Sequence, residues 1–215
     1  MRAVVATTGA VAFTVGAVLT VPVAAADPCP QVEVIFARGR TEPAGTGAIG
    51  GAFIDALRAR TSRSVGYYAV DYPADTEVIE GATDMSRHIQ SIAANCPNTR
   101  LVLGGYSLGA AVTDLVLGAP SPILGYKNPL PIGMTDRVAA VALFGNGTRK
   151  VLGPVSAVSP LWGAKTVDLC TPEDPICNDN MDPNTWLGAW PSHMADAYIG
   201  GGLVDQAADF VAARL

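Results

Sequence analysis

The chain has 215 residues, of which 49% are hydrophobic, and a formal net charge of −5 at pH 7. This length is enough for one domain with a substantial buried core, and the sequence has no internal repeat or low-complexity stretch. The acidic balance, without a cluster of lysine or arginine, argues against nucleic acid and anionic membrane surfaces as partners.

The first segment predicts export. Met1 and Arg2 precede an uncharged apolar run over residues 3–23, and an all-alanine segment follows at 24–26. A basic start, an apolar middle and an Ala-x-Ala site are typical of a secretory signal peptide, which we predict over residues 1–26. A retained membrane anchor is the alternative, since the run is long enough to span a bilayer. Cleavage would leave one domain, residues 27–215, in a secreted or cell-envelope protein.

Strands and helices alternate along the rest of the chain. Their periodicity predicts, in chain order, strand Val32–Ala37, helix Ala48–Arg60, strand Val65–Tyr72, helix Glu77–Asn95, strand Arg100–Gly105, helix Leu108–Gly118, strands Val138–Phe144 and Thr166–Leu169, and a closing helix Asp196–Arg214. This alternation predicts a mainly parallel sheet covered by helices on both faces, a three-layer α/β/α sandwich. The carboxyl ends of the strands then share one edge of the sheet.

A nucleophile motif follows the third predicted strand. Residues 105–109 read Gly-Tyr-Ser-Leu-Gly, between a short apolar strand and a helix. This is the context of the nucleophile elbow of α/β-hydrolases, in which glycines allow a strained turn that raises the serine hydroxyl above the sheet. A plain strand-to-helix turn is the alternative, because the motif also arises by chance in a chain with 23 glycines. We predict Ser107 as the nucleophile.

One histidine lies after Ser107, and the hydrolase fold supplies its base after the nucleophile and the acid. That residue, His193, follows a turn-rich segment and precedes the closing helix. We therefore predict His193 as the base, with a polar residue at a helix start as the alternative. His88 lies at the edge of the buried face of a predicted helix, and we interpret it as structural.

The acid has several candidates, because Asp168, Glu173, Asp174, Asp179 and Asp182 all lie between the serine and the histidine. A catalytic carboxylate must hold the imidazole in one orientation, so a rigid loop is a good mount. The loop over 170–177 has a cysteine at each end and two prolines that restrict its backbone. Asp174 lies deepest in this loop and is our prediction, with Glu173 as the alternative.

Four cysteines in an exported chain predict two disulfides. Three pairings are possible. Proximity favours Cys170–Cys177, which leaves Cys29–Cys96. A metal site is the alternative for four cysteines, but the sequence has no Cys-x2-Cys pair, so we expect no metal.

Two long connections, residues 118–136 and 178–192, combine prolines or tryptophans with other apolar residues. Connections of this length in a compact domain are usually functional or disordered. The second one joins the acid to the base, so we predict that Trp186, Leu187 and Trp190 form a hydrophobic rim for an acyl chain. An apolar patch folded onto the surface is the alternative, and for residues 118–136 it is the favoured interpretation.

Taken together, these motifs resemble the cutinase family, and most closely the actinobacterial cutinase-like proteins. The likeness covers essentially the whole chain after the signal peptide. The matching segments are Phe-Ala-Arg-Gly at 36–39, Thr-Glu at 41–42, Gly-Tyr-Ser at 105–107, the 170–177 loop, His193, the run from Asn95 to Gly105 and Val-Ala-Leu-Phe-Gly at 141–145.

The resemblance implies an α/β-hydrolase fold without a large lid domain and a secreted serine esterase acting on short to medium acyl chains. It implies the same triad and disulfides, and an oxyanion hole formed by the backbone N–H groups of Arg40 and Leu108. Two positions depart from the family: Leu108 replaces a glutamine, and Arg40 replaces a small hydroxyl residue. Hydroxyl donation to the oxyanion would then depend on Thr41.

Two other functions fit the same sequence. One is a phospholipase or acyltransferase that uses the same triad on envelope lipids, and the other is a catalytically silent exported binding protein. We expect an ester or lipid substrate, no cofactor, no nucleic-acid partner and a monomer.

Overall fold

The computed structural model describes residues 29–123, 125–178 and 184–215. The predicted signal peptide, residues 1–26, lies outside this range, as do two of the acid candidates, Asp179 and Asp182. Among the helices in the described ranges, none has the length and apolar character needed to cross a membrane.

The described residues form one five-stranded sheet in which every neighbouring pair is parallel, in the order β2-β1-β3-β4-β5. The strands are β1 (Val32–Ala37), β2 (Val65–Ala69), β3 (Arg100–Tyr106), β4 (Val138–Phe144) and β5 (Thr166–Leu169). The predicted parallel sheet is therefore confirmed. Its order reverses between β1 and β3, and in open α/β sheets the crevice beyond the carboxyl ends at such a point is the usual binding site.

Helices cover both faces of the sheet. They are α1 (Gly47–Arg58), α2 (Val78–Asn95), α3 (Leu108–Gly118), α4 (Arg149–Leu152), α5 (Val155–Val158), α6 (Pro160–Gly163), α7 (Ala195–Gly200) and α8 (Leu203–Ala212), with 3-10 turns at Ile132–Asp136 and Trp190–His193. The three-layer sandwich is thus confirmed. The three short helices α4 to α6 were not predicted.

Two predicted boundaries are wrong. The closing helix is not continuous, because Gly201 and Gly202 separate α7 from α8 and Gly202 has a left-handed φ of 76°. A glycine adopts this conformation without steric strain, and the chain changes direction there. The second strand ends at Ala69 rather than Tyr72, since its pairing with β1 stops at that residue.

The core lies on both sides of the sheet, because alternate side chains of each strand point to opposite faces. On the side of α1, α7 and α8, the rings of Phe36, Phe53 and Phe144 pack with centroids 6.0–6.3 Å apart. On the side of α2 and α3, the core includes Ile35 and Leu103. Both faces are dry, so β1 and β4 are buried along their whole length.

Both predicted disulfides are present. Cys29–Cys96 joins the residues before β1 to the end of α2, and Cys170–Cys177 closes the loop after β5. The first spans a sequence separation of 67 residues, and the second spans 7. The longer bridge restricts the unfolded chain more, so it carries the larger predicted stabilisation.

We expect the double variant Cys29→Ser and Cys96→Ser to lower the free energy of unfolding by about 4 kcal/mol, because the unfolded chain regains the entropy of a long loop. Urea unfolding of the variant and of the native protein at equal pH measures the difference. Equal unfolding midpoints would contradict the prediction.

Candidate active site

Ser107 lies at the turn from β3 into α3, with φ 53° and ψ −116°. Such a φ is strained for a residue with a side chain, and strain of this kind is concentrated at functional sites. The turn needs glycine on both sides: a Cβ on Gly105 would overlap the carbonyl oxygen of Gly109, and one on Gly109 would overlap the carbonyl oxygen of Ala37. The Ser107 N–H donates to the Phe144 carbonyl at 2.9 Å, which fixes the turn against β4.

Three predicted side chains meet at this turn. His193 Nε2 lies 2.9 Å from Ser107 Oγ, and His193 Nδ1 lies 2.7 Å from Asp174 Oδ2. The imidazole and the carboxylate are buried, with 3% and 0% of the residue exposed. A hydroxyl bonded to an imidazole that a buried carboxylate orients is the arrangement that activates a serine nucleophile.

Asp174 and Glu173 differ sharply in position, since Glu173 is exposed to solvent. Asp174 accepts hydrogen bonds from the Ile176 N–H at 2.7 Å and from the Tyr198 hydroxyl. Burial raises the pKa of Asp174, but the hydrogen bonds from His193 and Tyr198 outweigh it and hold the pKa below its ordinary value. The carboxylate therefore stays ionised against the imidazole.

The loop that carries Asp174 is tied to the segment that carries His193. The Thr171 hydroxyl donates to the Ser192 carbonyl at 2.7 Å. Cys170, the residue before Thr171, closes the same loop through its disulfide with Cys177. The loop with Asp174 and the segment with His193 are therefore linked directly.

Sequence reasoning missed two tyrosines. The Tyr198 hydroxyl donates to Asp174 Oδ2, and the Tyr106 hydroxyl donates to the backbone carbonyl of His193. Burial raises the pKa of both phenols, so both remain protonated donors. No motif marks either role: Tyr106 is the variable residue of the Gly-x-Ser-x-Gly motif, and the one signal for Tyr198 is its place in the helix that follows His193.

The two predicted oxyanion donors belong to different segments. Leu108 is the first residue of α3, where backbone N–H groups have no acceptor within the helix. Arg40 lies in an exposed turn after β1. Glu42 holds this turn, since its carboxylate accepts from the Gly39 N–H at 2.6 Å and from the first turn of α1. The Thr41 hydroxyl donates to the Arg40 carbonyl at 2.7 Å and is therefore already engaged.

The predicted rim residues lie beside the imidazole. The Trp190 ring centroid is 5.3 Å from that of His193, and the Trp186 ring is 5.5 Å from that of Trp190. Both indoles are about 40% exposed, and Leu187 is 81% exposed. We call these three residues the tryptophan rim. It is an open apolar surface on the His193 side of Ser107.

Two other titratable residues from the sequence lie elsewhere. His88 pairs with the buried Glu33 through Nε2 and Oε1 at 2.7 Å and stacks on Tyr68, as a structural histidine. Asp168 accepts from the Asn146 side chain at 3.2 Å, and its nearest cation is Arg149 at 3.8 Å. Burial raises the pKa of Asp168 to about 6, although Arg149 opposes this.

A family model and curated relatives match most of this chain. The family model described as Cutinase matches residues 28–215. The chain is 57% identical over 187 residues to the "Probable carboxylesterase Culp2" of Mycobacterium tuberculosis, covering 87% of this chain and 80% of that protein. It is 47% identical over 190 residues to the "Phospholipase Culp4" of the same organism, with the same shares covered.

A solved structure shows the same fold. The cutinase of Trichoderma reesei, in complex with a phosphonate inhibitor, superimposes with a TM-score of 0.60 at 30% sequence identity. The match covers 86% of this chain and 76% of that chain. The resemblance seen in the sequence motifs is thereby confirmed.

We expect Tyr198→Phe to destabilise the protein by about 1.5–3 kcal/mol at pH 7 and to lower turnover, because the buried Asp174 carboxylate loses a donor. Tyr106→Phe is the matched control. Its hydroxyl bonds an uncharged carbonyl, so its loss should be smaller, about 0.5–1.5 kcal/mol. Urea unfolding and ester hydrolysis of both variants measure the difference, and equal losses would contradict it.

We expect Asp168→Asn to stabilise the protein at pH 8 by roughly 2–3 kcal/mol and to give no gain at pH 4. The folded-state pKa of about 6 lies above the ordinary value of 3.8, so the native stability falls as the pH rises through this interval. Thermal unfolding at both pH values tests this, with the exposed Asp196→Asn as control. A gain of equal size at pH 4 and pH 8 would contradict the assignment.

Proposed function

Since the chain belongs to the cutinase family, we propose that it is a secreted serine esterase that hydrolyses carboxylic esters of short to medium acyl chains. The observation that carries this proposal is the unbroken chain of hydrogen bonds from Ser107 through His193 to Asp174. Two disulfides and the predicted signal peptide support export, because disulfides persist in oxidising compartments.

In the proposed mechanism, Ser107 Oγ attacks the carbonyl carbon of the ester while His193 Nε2 accepts its proton. The Asp174 carboxylate stabilises the imidazolium that forms, and Tyr198 and the Ile176 N–H keep that carboxylate in place. The carbonyl oxygen becomes an oxyanion. The backbone N–H groups of Leu108 and of Arg40, in the turn after β1, can bind it.

The intermediate then collapses. The bond from the carbonyl carbon to the alcohol oxygen breaks, and His193 gives its proton to the departing alcohol. Water attacks the acyl-enzyme with His193 as base, and the carboxylic acid leaves while Ser107 Oγ regains a proton. Every proton transfer in both halves occurs at one atom, His193 Nε2.

The oxyanion hole rests on backbone donors. Arg40 replaces the hydroxyl residue of the family and the Thr41 hydroxyl is bonded to the Arg40 carbonyl, so we propose that the N–H groups of Arg40 and Leu108 act without hydroxyl help. Loss of one donor costs about 2.7–4 kcal/mol of transition-state stabilisation in serine hydrolases. We therefore expect a lower turnover than in family members that have a hydroxyl residue at the position of Arg40.

A phospholipase is the second candidate, and a specific observation favours it. One relative at 47% identity carries that name, and the chemistry at Ser107 would be the same. The two candidates differ only in the alcohol that leaves. Product analysis with phosphatidylcholine vesicles and with simple alkyl esters separates them, and added alcohol acceptors would reveal acyl transfer. Labelling of Ser107 by a phosphonate would exclude a silent binding protein.

We expect Ser107→Ala, His193→Ala and Asp174→Asn each to lower kcat for p-nitrophenyl butyrate by about 10⁴-fold or more, because the three residues act as a unit. Glu173→Gln is the matched control and should retain native activity, since its side chain is exposed. A larger loss from Glu173→Gln than from Asp174→Asn would show that the acid is misassigned.

A further inference from the structure

A groove that the mechanism above does not use runs along one side of α3. It has a volume of roughly 580 Å³. Its floor is the α3 face formed by Ala111, Leu115 and Gly118, and α5 and neighbouring segments form its walls. The groove shares no residue with the tryptophan rim.

The lining of the groove on α3 begins at Ala111, one helical turn along the chain from the nucleophile. The Ala111 N–H donates to the Ser107 carbonyl at 3.3 Å, one helical turn away. Positions 111, 115 and 118 follow the spacing that places residues on one helix face, and Ser107 is the residue immediately before this helix. Helical side chains also lean toward the N-terminus, so the Ala111 methyl covers the turn that carries Ser107.

Small residues keep the groove open. Ala111 and Gly118 stand where larger side chains would fill it, and a Cβ on Gly118 would already lie 3.4 Å from Val158 Cγ1 on the opposite wall. Large apolar side chains stay exposed along its edges, at Ile123, Leu152 and Val158. Exposed apolar surface of this kind is typical of ligand grooves.

The lining excludes an anionic ligand. Among the described residues that line the groove, none is Lys, Arg or His. Its one acidic residue, Asp114, accepts through Oδ2 from the Thr148 hydroxyl and from the Asn146 side chain at 2.9 Å, whereas its Oδ1 is buried without a hydrogen-bond partner among the described residues. A phosphate would lose its hydration here and find no cation in exchange.

We infer that the groove binds the acyl chain of the ester whose carbonyl carbon Ser107 attacks, an inference that rests on the proposed function. From Ser107 to Gly118 the helix rises about 16 Å, roughly the length of an extended alkyl chain of twelve carbons. The substrate class is therefore esters of linear, uncharged acyl chains of about eight to twelve carbons. Short chains would fill only the first turn of the groove.

The tryptophan rim then faces the other half of the ester. His193 protonates the departing alcohol oxygen, so a surface against the His193 ring is on the alcohol side of the scissile bond. The groove adjoins α3 and is on the acyl side. In this arrangement the groove binds the acyl chain and the tryptophan rim contacts the alcohol part of the ester. The sequence-based prediction instead assigns the acyl chain to the rim.

The test measures kcat/KM of Ala111→Leu on p-nitrophenyl acetate, butyrate, octanoate and laurate. We expect the acetate value to stay within about twofold of native and the laurate value to fall about 50-fold or more. Each methylene kept out of an apolar site lowers kcat/KM roughly fourfold. Val158→Trp narrows the groove from the exposed wall and should give the same pattern. Ala94→Leu, on exposed α2 surface, is the matched control and should change nothing.

The outcomes are distinguishable. An equal loss on all four esters, or an unchanged chain-length profile in both groove variants, overturns the groove assignment. Native protein that hydrolyses none of them overturns the proposed function itself. In the double variant Trp186→Ala and Trp190→Ala, we expect an altered preference between methyl and decyl octanoate with the acyl profile retained. An acyl profile shifted by the tryptophan changes alone would overturn the assignment.

Discussion

The close approach of two backbones at the elbow is the constraint on which the rest of the site depends. Gly109, in the first turn of α3, lies against the carbonyl of Ala37 at the end of β1, with no room for a side chain between them. This contact brings the ends of β1 and β3 together at the point where the strand order reverses. It holds the end of β1 against the first turn of α3, the helix that begins at Leu108. A larger residue at position 109 would separate these parts.

The second constraint is a buried negative charge. Asp174 is fully buried, and an ionised carboxylate is stable there only because several donors reach it. The donors come from distant parts of the chain: its own loop, the 3-10 turn with His193 and helix α7 with Tyr198. Asp174 therefore orients the His193 ring, and it also links three segments that the sheet alone does not hold together.

Sequence patterns predicted most of the fold and three of the site residues. Ser107 could be predicted because a strained turn requires glycines at fixed spacing. Asp174 could be predicted because a cysteine pair and prolines mark a rigid loop. Tyr198 could not be predicted, because its contact with Asp174 joins two residues distant in the sequence and leaves no local pattern. The break at Gly202 was missed because apolar spacing continues across it, and only the backbone reveals the change of direction. The groove beside Ala111 was missed because separate segments form it, and two of them, α4 and α5, are helices of one turn.

The contact between Trp190 and His193 gives the enzyme an internal optical probe. An indole beside an imidazole emits strongly when the imidazole is neutral and is quenched when the imidazole is charged, and these two rings are 5.3 Å apart. Trp162 is buried at a distance from this contact within the other core, so its emission supplies a constant background. The surroundings of the His193 ring can thus be followed by the intrinsic fluorescence of the unmodified protein, without substrate or added dye.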